Sequence, residues 1–561
     1  MSSSVNLIIG ISMSLKFFLP IVIFSYFCSM KKIILICISV MMLTPSQAQF
    51  WRKKSTAQED TNKLEGLERF EQVFGLINDN YVTTPDMEKL SAEAINAMLK
   101  VLDPHSVYIP AKDVQRANEG LQGNFEGVGI SFQIVHDTIV VADVISGGPS
   151  EKVGVMMGDK IIRIDGGSAV GDSVNTTFVS SHLRGKKGTT VVVDVLRQGQ
   201  EISFHIVRDK IPIFSIDSYF MANDTIGYIR LVRFSRTSVN EFRKALGELK
   251  KKGMTALILD LRGNGGGYLD IACGMANEFL KSNSLLVYTE GRTVQRQNFR
   301  ANRYGEFREG RLVVLIDENS ASASEIVSGA VQDWDRGTII GRRSFGKGLV
   351  QRMYELKDGG QIRLTTARYF TPSGRCIQKS YDKGVDAYHS DIAKRYQNGE
   401  LVNPDSVHFP DSLKYKTQGG RTVYGGGGIM PDIFVPMDTM RLSDYFINIR
   451  AKGLLNDFPM QWANQNRKNP LVSDFDSYLR NYDQLGLDTL FAAYATQKEV
   501  VRDTAAEAAK PEQTQHSDNY LHQVLKAQVA RDLFGIEYYY LVMRDIDEGY
   551  LRAVRYIIEN R

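Results

Sequence analysis

Residues 311–334 read RLVVLIDENSASASEIVSGAVQDW. The apolar run from Leu312 to Ile316 marks a strand buried on both faces. Ala323, Ile326, Val327, Ala330, Val331 and Trp334 then recur at helical spacing. Ser320, Ser322 and Ser324 stand where strand becomes helix. Successive helical residues turn by about 100°, so Ser320 and Ser324 point to nearly one side and Ser322 points away. Two readings are open. Ser322 caps the helix, with Glu325 reaching back as in a capping box. Alternatively one serine is a nucleophile, placed where free N–H groups and the positive end of the helix dipole suit a developing anion. The chain has 8 histidines, none between His205 and His389, so no histidine near in sequence offers itself as the base.

Outward from this stretch, strands and helices alternate. TIGYIRLVRF, TALILDLRG, SLLVYTEG, RLVVLID and TIIGRR are buried strands, and SVNEFRKALGELKKKG and YLDIACGMANEFLKS are helices. The alternation predicts an α/β layered core over about 209–436. Within it, GRRSFGKGLVQRMYEL offers Lys347 between two glycines, followed by a strand on which Lys347 and Gln351 share a side. A lysine in an apolar setting loses its proton more easily and can act as a base, although an isolated lysine at a strand start is ordinarily a surface residue. Gly341 to Lys347 imitates a phosphate-binding loop, but the hydroxyl residue after the lysine is missing and a strand follows instead of a helix. The nucleotide-hydrolase reading is therefore set aside. In LILDLRGNGGG a strand runs into a glycine turn whose N–H groups can face an oxyanion.

SASASEIVSGAVQD, FGKGLVQ, LILDLRGNGGG, RYFTPSGRCIQ and GGGGIMPDIFVP together resemble the motifs of the C-terminal processing peptidases, or tail-specific proteases. The resemblance spans roughly residues 60 to 436. It implies a crotonase-like α/β protease core with Ser322 as nucleophile, Lys347 as base and Gln351 as the residue orienting it. It also implies an oxyanion hole made by the N–H of Ala323 and one from the glycine turn, Gly266 or Gly265. A serine–lysine pair needs neither histidine nor metal, and no cofactor is expected. A catalytically inactive peptide-binding scaffold on the same folds is the alternative.

Residues 118–208 change texture to short alternating strands, GVGISFQIV, TIVVADVI, DKIIRIDG, TTVVVDVLR and EISFHIVR, with helical stretches at 149–155 and 176–183. They resemble a PDZ domain. The resemblance makes Gly127, Val128, Gly129 and Ile130 the loop that captures a peptide C-terminal carboxylate, with Phe132 beside the groove. The expected partners are protein or peptide substrates with accessible C-termini.

Residues 49–117 read as a helical N-terminal region, which relatives use for homodimerisation. Residues 437–561 are a helical extension open to docking on the core, oligomerisation or adaptor binding. The whole is multidomain α+β. MKKIILICISVMMLTPSQAQ, from Met30, has the form of a secretory signal peptide cleaved after Ala48. Export to the periplasm is expected, or membrane anchoring if the leader of residues 1–48 stays. Without that leader and its three lysines the chain holds 65 basic and 64 acidic residues. Such a balance argues against a nucleic-acid partner. Cys273 and Cys376 are read as buried small residues, not a disulfide framework.

Overall fold

The computed structural model describes residues 64–135, 137–407 and 409–560. The leader and its cleavage site lie outside the described residues. Among the described residues no helix is long and apolar enough to cross a membrane. The chain divides into a unit of residues 1–94 and one of residues 95–561. The first carries a helix over 64–80, and helix Met87–Leu102 spans the division. Both fall in the helical N-terminal region expected over 49–117.

In the second unit a six-stranded sheet runs in the order Ile216–Met221, Ile226–Leu231, Ala256–Asp260, Arg311–Ile316, Thr338–Gly341, Ile433–Phe434. Its first pair is antiparallel and the rest are parallel. The central strands are apolar throughout because both faces are covered. Leu257, Leu259, Leu312, Val314 and Ile316 enter one core with helices Ser238–Lys251, Leu269–Asn277 and Ala323–Asp333. Ala256, Ile258, Val313 and Leu315 face the other way, against Tyr550, Ala553 and Ile557 of helix Glu548–Glu559.

One expectation fails. The SLLVYTEG strand, Leu285–Glu290, is not in the parallel sheet. It joins a second, antiparallel sheet with Gln297–Arg300, Gln361–Phe370, Leu349–Glu355 and Val107–Ile109. Alternation along the chain does not say which sheet a strand enters. Cross-strand packing does: Tyr288 pairs with Phe370, their rings stacked at 4.8 Å.

The PDZ-like unit has strands Ile130–Val135, Thr138–Val144, Lys160–Ile164, Thr190–Arg197 and Gln200–Val207, in that order across its sheet. Helices Pro149–Val153 and Thr176–Leu183 complete it. Of the roles left open for the C-terminal extension, docking on the core is realised. Its helices bury their own cluster, including Phe458, Phe491, Leu525 and Ala530, and its last helix covers the parallel sheet. The Arg262 guanidinium, at the end of strand Ala256–Asp260, donates to Asp547 at 2.6 and 2.7 Å. Asp547 in turn caps the last helix by accepting the Tyr550 N–H at 3.1 Å. Cys273 and Cys376 are unpaired, the first buried.

If the last helix is part of the core, Tyr550→Ala leaves a void beneath the sheet. Urea unfolding should then show a loss of about 3–4 kcal/mol. An unchanged midpoint would place that helix outside the cooperative unit.

Candidate active site

Helix Ala323–Asp333 leaves strand Arg311–Ile316 through a short turn. Every residue from Ser320 to Asp333 is buried except Ser322. The Ser320 hydroxyl donates to the Leu261 carbonyl and that of Ser324 to the Asn264 carbonyl, both at 2.8 Å. These two serines fasten the helix start to the glycine turn. Ser322 opens instead onto a cavity of about 310 Å³, shared with Lys347, Gln351 and the glycines at 265–267. Ser322 is set apart from Ser320 and Ser324 as expected, but not by helical phase: the helix begins at Ala323, and the turn before it with the non-helical backbone of Ser322 makes the separation. A larger cavity of about 940 Å³ lies where the extension meets the core. It contains the Arg262–Asp547 pair but neither Ser322 nor Lys347.

Ser322 has φ +56° and ψ −111°. Helix caps ordinarily take extended backbone, and side-chain-bearing residues avoid this region. Such strain persists only where the surroundings over-determine it. Two groups do so. Glu325 Oε2 accepts the N–H of Ser322 at 2.8 Å and of Lys347 at 2.9 Å. Its Oε1 accepts the Gly346 N–H at 2.7 Å and the Ser344 hydroxyl at 2.5 Å. The Tyr369 hydroxyl reaches the carbonyls of Ser322, at 3.1 Å, and Lys347, at 2.5 Å. One carboxylate thus holds the N–H side of both backbones and one phenol the carbonyl side. The reach-back of a capping box is present, but it is shared with Lys347, which a cap alone does not require.

Burial pushes the Lys347 amine below the usual lysine range; Glu325 and Asp103 oppose the shift and Arg363 adds to it. Burial pushes the Glu325 carboxyl up, against the pull of its four donors. Burial also holds the Tyr369 phenol well above its usual range, so it keeps its proton. Gln351 lines the same cavity, and its amide donates to Thr365 Oγ1 at 3.1 Å. A register shift falls between Val350 and Gln351, and both line the cavity although neighbours on a regular strand face opposite ways. After Lys347 comes strand Leu349–Glu355, so the imitation phosphate loop opens no helix.

Among the expected oxyanion donors, the Ala323 N–H meets no acceptor among the described residues. Gly266 lies against Ser322: a Cβ there would stand 2.8 Å from Ser322 Cβ and 2.9 Å from the Ala323 nitrogen, and φ is +102°. Only glycine fits. The Gly266 N–H, however, donates to Asn264 Oδ1 at 2.9 Å. Gly265 is exposed in the turn, and its N–H has no acceptor among the described residues.

In the PDZ-like unit, Gly127 ends strand Asn124–Gly127 and Ile130 begins the edge strand that carries Phe132. The Val128 carbonyl accepts the Ser150 N–H and hydroxyl at 3.0 and 2.7 Å, and Gly129 has φ +79°. These bonds fix the loop through its carbonyls. The N–H groups of Val128 and Gly129 meet no acceptor among the described residues.

Three features escaped sequence reasoning. Tyr369 lies in a quoted motif, but nothing in periodicity singles out its hydroxyl. Arg363 lines the cavity from a strand not recognised as part of the site. The break at DPHSVYIP signals a loop but not its destination. There the Ser106 hydroxyl donates to Asp103 Oδ2 at 2.6 Å and accepts the Thr365 N–H at 3.1 Å, reaching the residue that holds Gln351. Burial, with the charge of Lys347, pushes His105 down to about 3, so it stays neutral.

A family model described as peptidase family S41 matches residues 225–387, a PDZ domain model 127–207, and an activating protease CtpB N-terminal domain model 37–113. A family of unknown function matches 445–535. A carboxy-terminal-processing protease of Bartonella bacilliformis is 39% identical over 333 residues, 58% of this chain and 75% of that protein. The chain belongs to peptidase family S41. It is a C-terminal processing serine protease with a PDZ domain. A probable CtpA-like serine protease of Staphylococcus aureus is 33% identical over 345 residues, 61% of this chain and 68% of that protein. Among solved structures, a photosystem II D1 C-terminal processing protease is 25% identical and covers 66% of this chain and 93% of its own, with a TM-score of 0.35.

Tyr369→Phe keeps the packing and removes only the hydroxyl that joins the two carbonyls. Steady-state kinetics on a quenched fluorescent peptide should show kcat down by about 10- to 100-fold, with KM little changed. Wild-type kcat would mean the phenol does not position the pair.

Proposed function

We propose that this S41 peptidase is an exported endopeptidase that selects proteins by their C-termini through its PDZ domain and cleaves them with a Ser322–Lys347 dyad. One observation carries the reading. The only accessible residue of a buried helix start shares a cavity with a half-buried lysine, and one carboxylate ties the two backbones together.

In this reading neutral Lys347 takes the proton from Ser322 Oγ as the oxygen attacks the scissile carbonyl. The Ala323 N–H and a donor from the glycine turn receive the developing oxyanion. The lysinium then gives its proton to the departing amine, and the C–N bond breaks. An ester on Ser322 remains. Lys347, neutral again, draws a proton from water, whose oxygen attacks the ester. Ser322 recovers the proton and a carboxylate product leaves. Gln351 orients the amine, helped by Thr365. Gly127, Val128, Gly129, Ile130 and Phe132 hold the tail, with the Val128 and Gly129 N–H groups facing its carboxylate.

Ser322→Ala and Lys347→Ala should abolish degradation of an unfolded protein with an apolar C-terminus while leaving thermal unfolding close to wild type. Lys347→Arg should also be inactive, because a guanidinium stays charged. A fully active Lys347→Ala would sink the base assignment, and a wild type that degrades nothing would favour the inactive scaffold.

The pH dependence has a definite sign. A base works when unprotonated, so kcat/KM should rise with pH through the Lys347 pKa. Burial lowers that pKa, so the rise should be centred below the usual 10.5. A rate profile flat across that range would exclude the lysine as the titrating base.

A further inference from the structure

The catalytic cavity is lopsided in charge. Lys347 and Arg363 line it, and no aspartate or glutamate does so among the described residues. Arg363 forms no ion pair among the described residues. Its Nη2 is spent on the Ala117 carbonyl at 2.8 Å and Asn118 Oδ1 at 2.9 Å, both on helix Ala111–Gln122. Its Nε is buried and meets no acceptor among the described residues. A half-buried guanidinium with neutral partners only, facing a second amine, is costly unless an anion completes it.

The register of the second sheet locates it. Arg363 opposes Met353, and Thr365 opposes Gln351 on the neighbouring strand. Arg363 and Thr365 share a face, one step of about 7 Å apart. Tyr369, whose hydroxyl touches the Ser322 carbonyl, lies six residues further along the same strand. That is about 20 Å of strand, so the guanidinium meets an extended peptide within roughly six residues of the bond being cut.

We infer that Arg363 forms a carboxylate-recognising subsite of the cleavage cavity, apart from the PDZ groove. It rests on the peptidase reading above. The carboxylate is supplied either by an acidic side chain near the scissile bond or by the chain end of a short tail. In the first case the enzyme prefers acidic residues at one position. In the second it measures tail length.

Two sets of quenched fluorescent peptides test this. One set varies the tail from one to six residues beyond the cleaved bond, ending in a free carboxylate or an amide. The other, all amidated, places Glu or Gln singly at each position on either side. At the responsive position, wild type should cleave the carboxylate member about 10-fold faster in kcat/KM, the worth of one charge-assisted contact. Arg363→Gln should bring that ratio close to one, and Arg363→Lys should retain part of it. Each ratio is read on one preparation, so the fraction folded cancels. A response confined to the first set assigns the chain end, and one in the second set a side chain; both support the inference. Ratios near one throughout in wild type, or a ratio that survives Arg363→Gln and so belongs to the PDZ groove, overturn it. A wild type that cleaves no peptide overturns the peptidase reading and this inference with it.

Discussion

The buried carboxylate of Glu325 is the constraint around which the site is built. It gathers four donors from two separated segments, the helix start at Ser322 and the loop through Ser344, Gly346 and Lys347. Ser344 extends the reach, because its oxygen also accepts the Ile429 N–H at 2.6 Å. Three sequence motifs far apart in the chain therefore converge on one side chain. Removing the carboxylate strands its four donors, where an unsatisfied buried polar group costs about 1–3 kcal/mol. The backbones at Ser322 and Lys347 are consequently held by one and the same group.

Behind this centre the support is layered. The parallel sheet delivers the glycine turn and the serine helix from adjacent strands, Ala256–Asp260 and Arg311–Ile316. Arg262, just before the turn, binds Asp260 and Asp547 at once. Asp260 feels two opposed influences: burial would raise its carboxyl, but Arg262 and Arg230 hold it below the usual range. The C-terminal extension is thus tied to the strand end that presents the glycine turn. Its far side touches the PDZ-like unit, where Arg467 reaches Met157.

What the sequence disclosed followed physical reach. The separation of Ser322 from Ser320 and Ser324 was legible, since that relation spans four residues, but its cause is the turn before Ala323 and not helical phase. The buried strands and most PDZ-like strands were legible from continuous or alternating apolar runs. The sheet joined by Leu285–Glu290 was not, since its partners on strand Gln361–Phe370 sit 78 to 82 residues away, from Glu290–Arg368 to Tyr288–Phe370. Tyr369, Arg363 and the Asp103 turn were invisible as site components for the same reason: their significance lies in which distant atoms they meet. The Gly266 N–H was a reasonable choice of oxyanion donor from position alone. Its engagement by the Asn264 side chain depends on a rotamer, which no spacing encodes.

The backbone at Ser322 has an evolutionary corollary. Its dihedral angles are close to the mirror image of an extended residue, a conformation that glycine enters freely and that costs other residues about 1–3 kcal/mol. Selection for robustness alone would install glycine there. Keeping serine means the fold carries a standing thermodynamic handicap at the residue that opens onto the cavity, and homologues that lose the handicap by drifting to glycine should be sturdier.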